Sequence, residues 1–175
     1  MPPEQLVARV GIDVRFFSAF LLALFPVSFV LMSASWLPKQ RVVVPVDFSD
    51  ESFAALNTAL ELVPDASHLS LIYVLPVLDP AEPGVIWTTV DDDSRRHHAE
   101  LALSERLSDK RYAGMKTHIA FGDPGHEIAD FAQREHADLI VLSSHGRTGL
   151  SRLLIGSVAE KTVRLAHCPV LVLKK

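Results

Sequence analysis

The groups best suited to chemistry crowd into one stretch: Ser143-Ser144-His145-Gly146-Arg147-Thr148-Gly149-Leu150-Ser151-Arg152-Leu153-Leu154-Ile155-Gly156-Ser157. It leaves an apolar run, Asp138-Leu139-Ile140-Val141-Leu142, and enters an amphipathic one. Gly146 and Gly149 would let backbone amides approach an anion without a Cβ in the way. Gly156 and Ser157 would put unpaired helix-end N–H groups, and a hydroxyl, beside phosphate oxygens. Arg147 and Arg152 could add positive charge. The same spacing also describes a glycine turn followed by a capped helix, and spacing alone does not separate the two. No Gly-Lys-Ser/Thr follows the glycines, so this is not a Walker A loop.

Other reactive side chains are dispersed. His97 and His98 are adjacent in a helical stretch, and neighbours in sequence do not share a helix face, which argues against a metal site. His118, His126, His136 and His167 are scattered and read as surface or capping groups. His145 lies in the loop, but no acidic neighbour makes it an acid–base pair. Asp91-Asp92-Asp93 suits a helix start. Cys168 is the one cysteine of the chain; it reads as a small buried hydrophobe and excludes a disulfide framework. No catalytic residue and no metal ligand is assigned.

The elements that must position the loop are legible from Arg41 onward. Arg41-Val42-Val43-Val44-Pro45-Val46-Asp47 is a β-branched run expected of a strand covered on both faces. Ser49 offers an N-cap, with Asp50 and Glu51 in the first turn, and Phe53, Leu56, Leu60 and Val63 follow at helical spacing. Leu69 to Val74 is a second strand. Pro76, Pro80 and Pro83 interrupt a loop to about Val90, a charged helix is expected over about Asp91 to Arg111, and Met115 to Ala120 forms a third strand. Asp123-Pro124 starts a helix that turns Ile128, Phe131 and Ala132 to a core. Asp138 to Leu142 is the fourth strand, Ser157-Val158-Ala159-Glu160 reads as a capping box, and Pro169 to Leu173 is the fifth strand. Strands alternating with helices predict an open parallel sheet with right-handed crossovers, doubly wound.

Residues 41 to 175 resemble the universal stress protein family almost end to end. The resemblance is carried by Val44-Pro45-Val46-Asp47-Phe48-Ser49, the loop Ser144 to Gly149, Gly156-Ser157-Val158 and the closing Pro169-Val170-Leu171-Val172. It implies an α/β, flavodoxin-like (adenine nucleotide alpha hydrolase-like) fold with five strands. It also implies an ATP site, with magnesium bridging phosphates. The ATP-binding branch has Gly, two residues, Gly, nine residues, then Gly with Ser or Thr; Gly146 and Gly156-Ser157 match, while Ser143 replaces the first glycine. The implied cofactor residues are Pro45, Val46, Asp47, Val74, Leu142, Ser143, His145, Gly146, Arg147, Gly149, Gly156, Ser157 and Val158. Asp47 would face the adenosine, or serve as a helix-entry cap; Val74 would line the adenine slot, or be plain core. A homodimer through Val170 to Leu173 is implied too. The expected role is a ligand-dependent stress-response or signalling module; a slow ATP hydrolase or phosphotransfer enzyme, and a nucleotide-free interaction module favoured by Ser143, are the alternatives.

The 175 residues, 49% apolar, suffice for one domain with a core, and a net charge of −4 gives no general attraction to nucleic acid or anionic lipid. Residues 39–175 are read as the domain and 1–38 as an extension. From Phe16 to Pro38 there is no charge, and 14 of the 17 positions from Phe16 to Met32 are apolar. Three readings stay open for it: a membrane anchor through residues 16–38, a cleaved signal ending near Ser33-Ala34-Ser35, and a true start at Met32. A cytoplasmic location is expected unless the anchor is retained.

Overall fold

A computed structural model describes residues 37–78, 91–144 and 155–174. Its strands are β1 (Val42–Val46), β2 (Leu69–Leu75), β3 (Lys116–Phe121), β4 (Leu139–Ser143) and β5 (Val170–Leu173). The helices between them are α1 (Asp50–Leu60), α2 (Asp92–Arg106), α3 (Pro124–Arg134) and α4 (Ser157–Leu165). All neighbouring strands are parallel, in the order β3-β2-β1-β4-β5. The class is the expected five-stranded parallel sheet wound on both faces. Its strand order differs from the 2-1-3-4-5 order of flavodoxin, so the winding reverses between β1 and β4.

The β-branched run of β1 is explained by its central place. Val42, Val44 and Val46 face one core with Phe53, Leu56, Leu71, Leu103 and Val141, under α1 and α2. Val43 faces the other with Ile72, Ile128, Phe131, Ile140 and Ala159, under α3 and α4. Adjacent residues of a strand point to opposite faces, so a strand covered on both must be apolar throughout. Reversal of winding at β1 is also what sends α3 and α4 to the second face, because each crossover is right-handed.

The pairing is uneven. β1 and β2 register from Val42–Leu69 through Val46–Tyr73, but β1 and β4 register only at Val42–Leu139 and Val43–Ile140. Pro45, which has no N–H to donate, lies two residues past that ladder's end. The carboxyl ends of β1 and β4 therefore part.

Helix starts follow the sequence closely, with two corrections. Ser49 caps α1, its Oγ accepting from Ser52 N at 3.2 Å; Asp91 caps α2 and Asp123 caps α3, with Pro124 in the first turn. The capping box expected at Ser157 is not formed: the helix begins one residue earlier, with Gly156 as N-cap and no side-chain cap bond. The single helix expected to Arg111 ends at Arg106, and a separate 3-10 turn covers Lys110–Tyr112 under an Asp109 cap. Among the described residues no helix is long and apolar enough to cross a membrane.

Candidate functional site

Where β1 and β4 part, a cavity of about 340 Å³ opens. In open parallel sheets this switch point, outside the carboxyl ends of the strands, is where ligands sit. β1 contributes Pro45, Val46 and Asp47 to its walls, and β4 contributes Leu142 and Ser143. Val74 enters from β2, and Gly156, Ser157 and Val158 come from the start of α4. Those nine are brought together as one surface. His145, Gly146, Arg147 and Gly149, with Arg152, lie outside the described residues.

Six further residues line the cavity that sequence reading did not assign to a site: Ser52, Ile72, Pro124, Ile128, Ser144 and Ala159. For Ile72 the signal was present, since it shares the sheet face of Val74 two residues on. Pro124 and Ile128 required knowing that α3 recrosses the sheet beside α4.

The β1–α1 turn fixes Asp47. Phe48 has a positive φ of 66°, a left-handed conformation that costs a non-glycine residue about 1–2 kcal/mol. Its ring meets Tyr73 edge-on at 4.8 Å and Phe53 at 6.3 Å, contacts that offset the cost. The turn folds the chain so that Asp47 Oδ1 accepts from Ser49 N at 3.1 Å and from the Ser49 hydroxyl. Ser52 Oγ accepts from Asp47 N at 3.3 Å and donates to Ser49 O at 2.9 Å. Asp47 thus takes part in helix entry while lining the cavity. It is the only charged side chain on the cavity wall among the described residues.

Three helix N-termini converge here, and they differ in their capping. Ser49 closes α1 and Asp123 closes α3. At α4 the N-cap is Gly156, which makes no side-chain cap bond to the first-turn N–H groups. Gly156 N donates to Ser144 O, and Ser144 N to Leu173 O, each at 2.8 Å. These bonds hold the helix entry against β4 and β5. An N-terminus with unpaired N–H groups carries partial positive charge and favours an anion.

The rim is charged. Asp123 Oδ1 accepts from Lys161 Nζ at 3.0 Å and from His126 N at 3.2 Å, and it meets His126 Nδ1 at 3.1 Å. The Lys161 bond, followed by the His126 backbone N–H, holds the Asp123 carboxyl down at about 2. Elsewhere, burial and then Asp138 push the Cys168 thiol up, which makes it a poor nucleophile. No group of three or more His, Cys, Asp or Glu side chains able to hold a metal occurs among the described residues.

Comparison with known proteins gives one family. The family model described as the universal stress protein family matches residues 39–174. Universal stress protein MJ0531 of Methanocaldococcus jannaschii is 35% identical over 142 residues, covering 78% of this chain and 82% of its own. The structure of universal stress protein UspA from Lactobacillus plantarum matches with a TM-score of 0.62 and 32% identity, over 77% of this chain and 97% of that one. A universal stress protein in complex with cAMP shares the fold, with a TM-score of 0.55 and 20% identity over 78% and 97% of the two chains.

Proposed function

This chain belongs to the universal stress protein family, and on that premise we propose that it binds ATP or a related adenine nucleotide as a ligand-dependent stress-response module. The observation that carries the reading is the cavity at the β1–β4 switch point, with the uncapped start of α4 in its wall. Phosphate oxygens would lie at the start of α4, beside the backbone N–H groups of Ser157 and Val158, because Gly156 as N-cap supplies no side-chain acceptor there. Asp47 can accept from ribose hydroxyls, and Ile72 and Val74 offer an apolar wall to the adenine ring. Magnesium would be held through the phosphates, since the described residues supply no cage for it. One protein of this fold is a universal stress protein in complex with cAMP, which supports the adenine-nucleotide class.

A homodimer through β5, whose four residues are all half-buried at the sheet edge, belongs to the same proposal. An edge strand presents unpaired backbone groups that a second copy would cover. The deciding experiment is mass spectrometry of ligand released from natively purified protein, with calorimetric titration of ATP. An adenine nucleotide that co-purifies and rebinds is the expected result. Absence of both co-purification and binding heat at millimolar ATP would overturn it. That outcome would favour a nucleotide-free interaction module, the reading supported by Ser143, which lines the cavity where the ATP-binding branch has glycine.

A further inference from the structure

Lys161 sits on α4 four residues after Ser157 and three after Val158, so it shares their helix face. Helical side chains lean toward the N-terminus, which carries its ammonium toward the start of α3. Its stem has a built seat on α3: a Cβ at Gly125 would lie 2.7 Å from Lys161 Cβ, Cγ and Cδ. The chain is thus laid across the first turn of α3, beside the cavity-lining Pro124, and ends on Asp123 at 3.0 Å.

That ion pair has two features a simple strut would lack. The Asp123 oxygen is already shared with both nitrogens of His126 that face it, whereas an ammonium has three donors and, among the described residues, meets one carboxylate oxygen. Lys161 and Asp123 are 40% and 50% exposed, and a pair so open to water is weakly held. A terminal phosphate carries more charge than a carboxylate and can draw on the same ammonium.

We propose that Lys161 is a specificity-determining residue, shared between Asp123 and the terminal phosphates of the bound nucleotide, so that affinity grades with ligand charge. This rests on the nucleotide reading above. Asp123 then acts as a competitor that tempers the grip on the phosphate tail.

The test is calorimetric titration of the full chain with adenosine, AMP and ATP. Lys161→Met keeps the stem on Gly125 and removes the charge. It is expected to weaken ATP about tenfold, the scale of one charge-assisted contact, while adenosine is unchanged. Asp123→Asn keeps an N-cap, releases the ammonium, and is expected to tighten ATP severalfold with adenosine again unchanged. Lys161→Arg should retain most of the ATP preference. Equal weakening of all three ligands by Lys161→Met would make the pair a structural clasp and overturn the inference, as would unaltered ATP affinity. Wild-type protein that binds none of the three would remove the nucleotide reading and this inference together, an outcome distinct from wild-type binding without an effect of Lys161.

Discussion

At Gly156 the backbone has φ −62° and ψ 151°, ordinary extended values open to any residue. What glycine supplies there is a bare approach to the helix end. Gly156→Val should therefore abolish ATP binding in titration calorimetry, with stability reduced by no more than about 1 kcal/mol, the worth of a poorer N-cap. Retained ATP affinity in a folded Gly156→Val protein would remove the phosphate from this helix end. The sequence made Gly156 conspicuous because glycine before an amphipathic run is a known punctuation. It misassigned the cap itself, since Ser157 followed by Glu160 has the form of a capping box and only the chain path decides which residue is N-cap. Phe48 was opaque for a deeper reason. Nothing in a phenylalanine announces a left-handed turn, and its conformation depends on Tyr73 and Phe53 arriving from other elements.

Between elements, the pattern of burial made β1, β2, β4 and the starts of α1 and α3 readable, because strands covered on both faces leave uninterrupted apolar runs. What stayed hidden was contact across crossovers, such as the one between β3 and α3. His118 on β3 stacks on Phe131 of α3 with ring centroids 4.6 Å apart and planes within 7°. Burial first, then Arg134 and Arg96, lower its pKa from the ordinary 6.5, against smaller opposing effects of Glu135 and Glu127. In the unfolded chain His118 takes up its proton at higher pH than in the folded one, so the unfolded state binds more protons in that window. The stability this site contributes is complete above about 6.5 and is lost as pH falls through the depressed folded value. Thermal denaturation of wild type and His118→Phe should show the two converging on acidification, because the variant lacks this loss. A constant difference from pH 7.5 to 5 would refute the assignment.

For the molecule as a whole, every described strand begins at Val42 or later, and the family match begins at residue 39. A chain starting at Met32 is expected to be soluble, folded and competent for ATP, as gel filtration, circular dichroism and titration would show. Aggregation relieved by restoring residues 1–31 would place the extension in the core instead. The uneven pairing of the sheet has a dynamic counterpart. With only Val42–Leu139 and Val43–Ile140 in register, the sheet is two half-sheets, β3-β2-β1 and β4-β5, sewn by a short seam. Local opening follows the line of fewest backbone bonds. Backbone amides facing the seam beyond Val43 and Ile140 should exchange with deuterium sooner than those of the β1–β2 ladder, which is paired along all of β1. A nucleotide filling the cavity would bridge the two halves, and its binding would slow exchange most at that seam. A crevice that admitted such a ligand would then also be the line along which the protein breathes, and occupancy would be reported in how tightly β5, at the far edge, is joined to the rest.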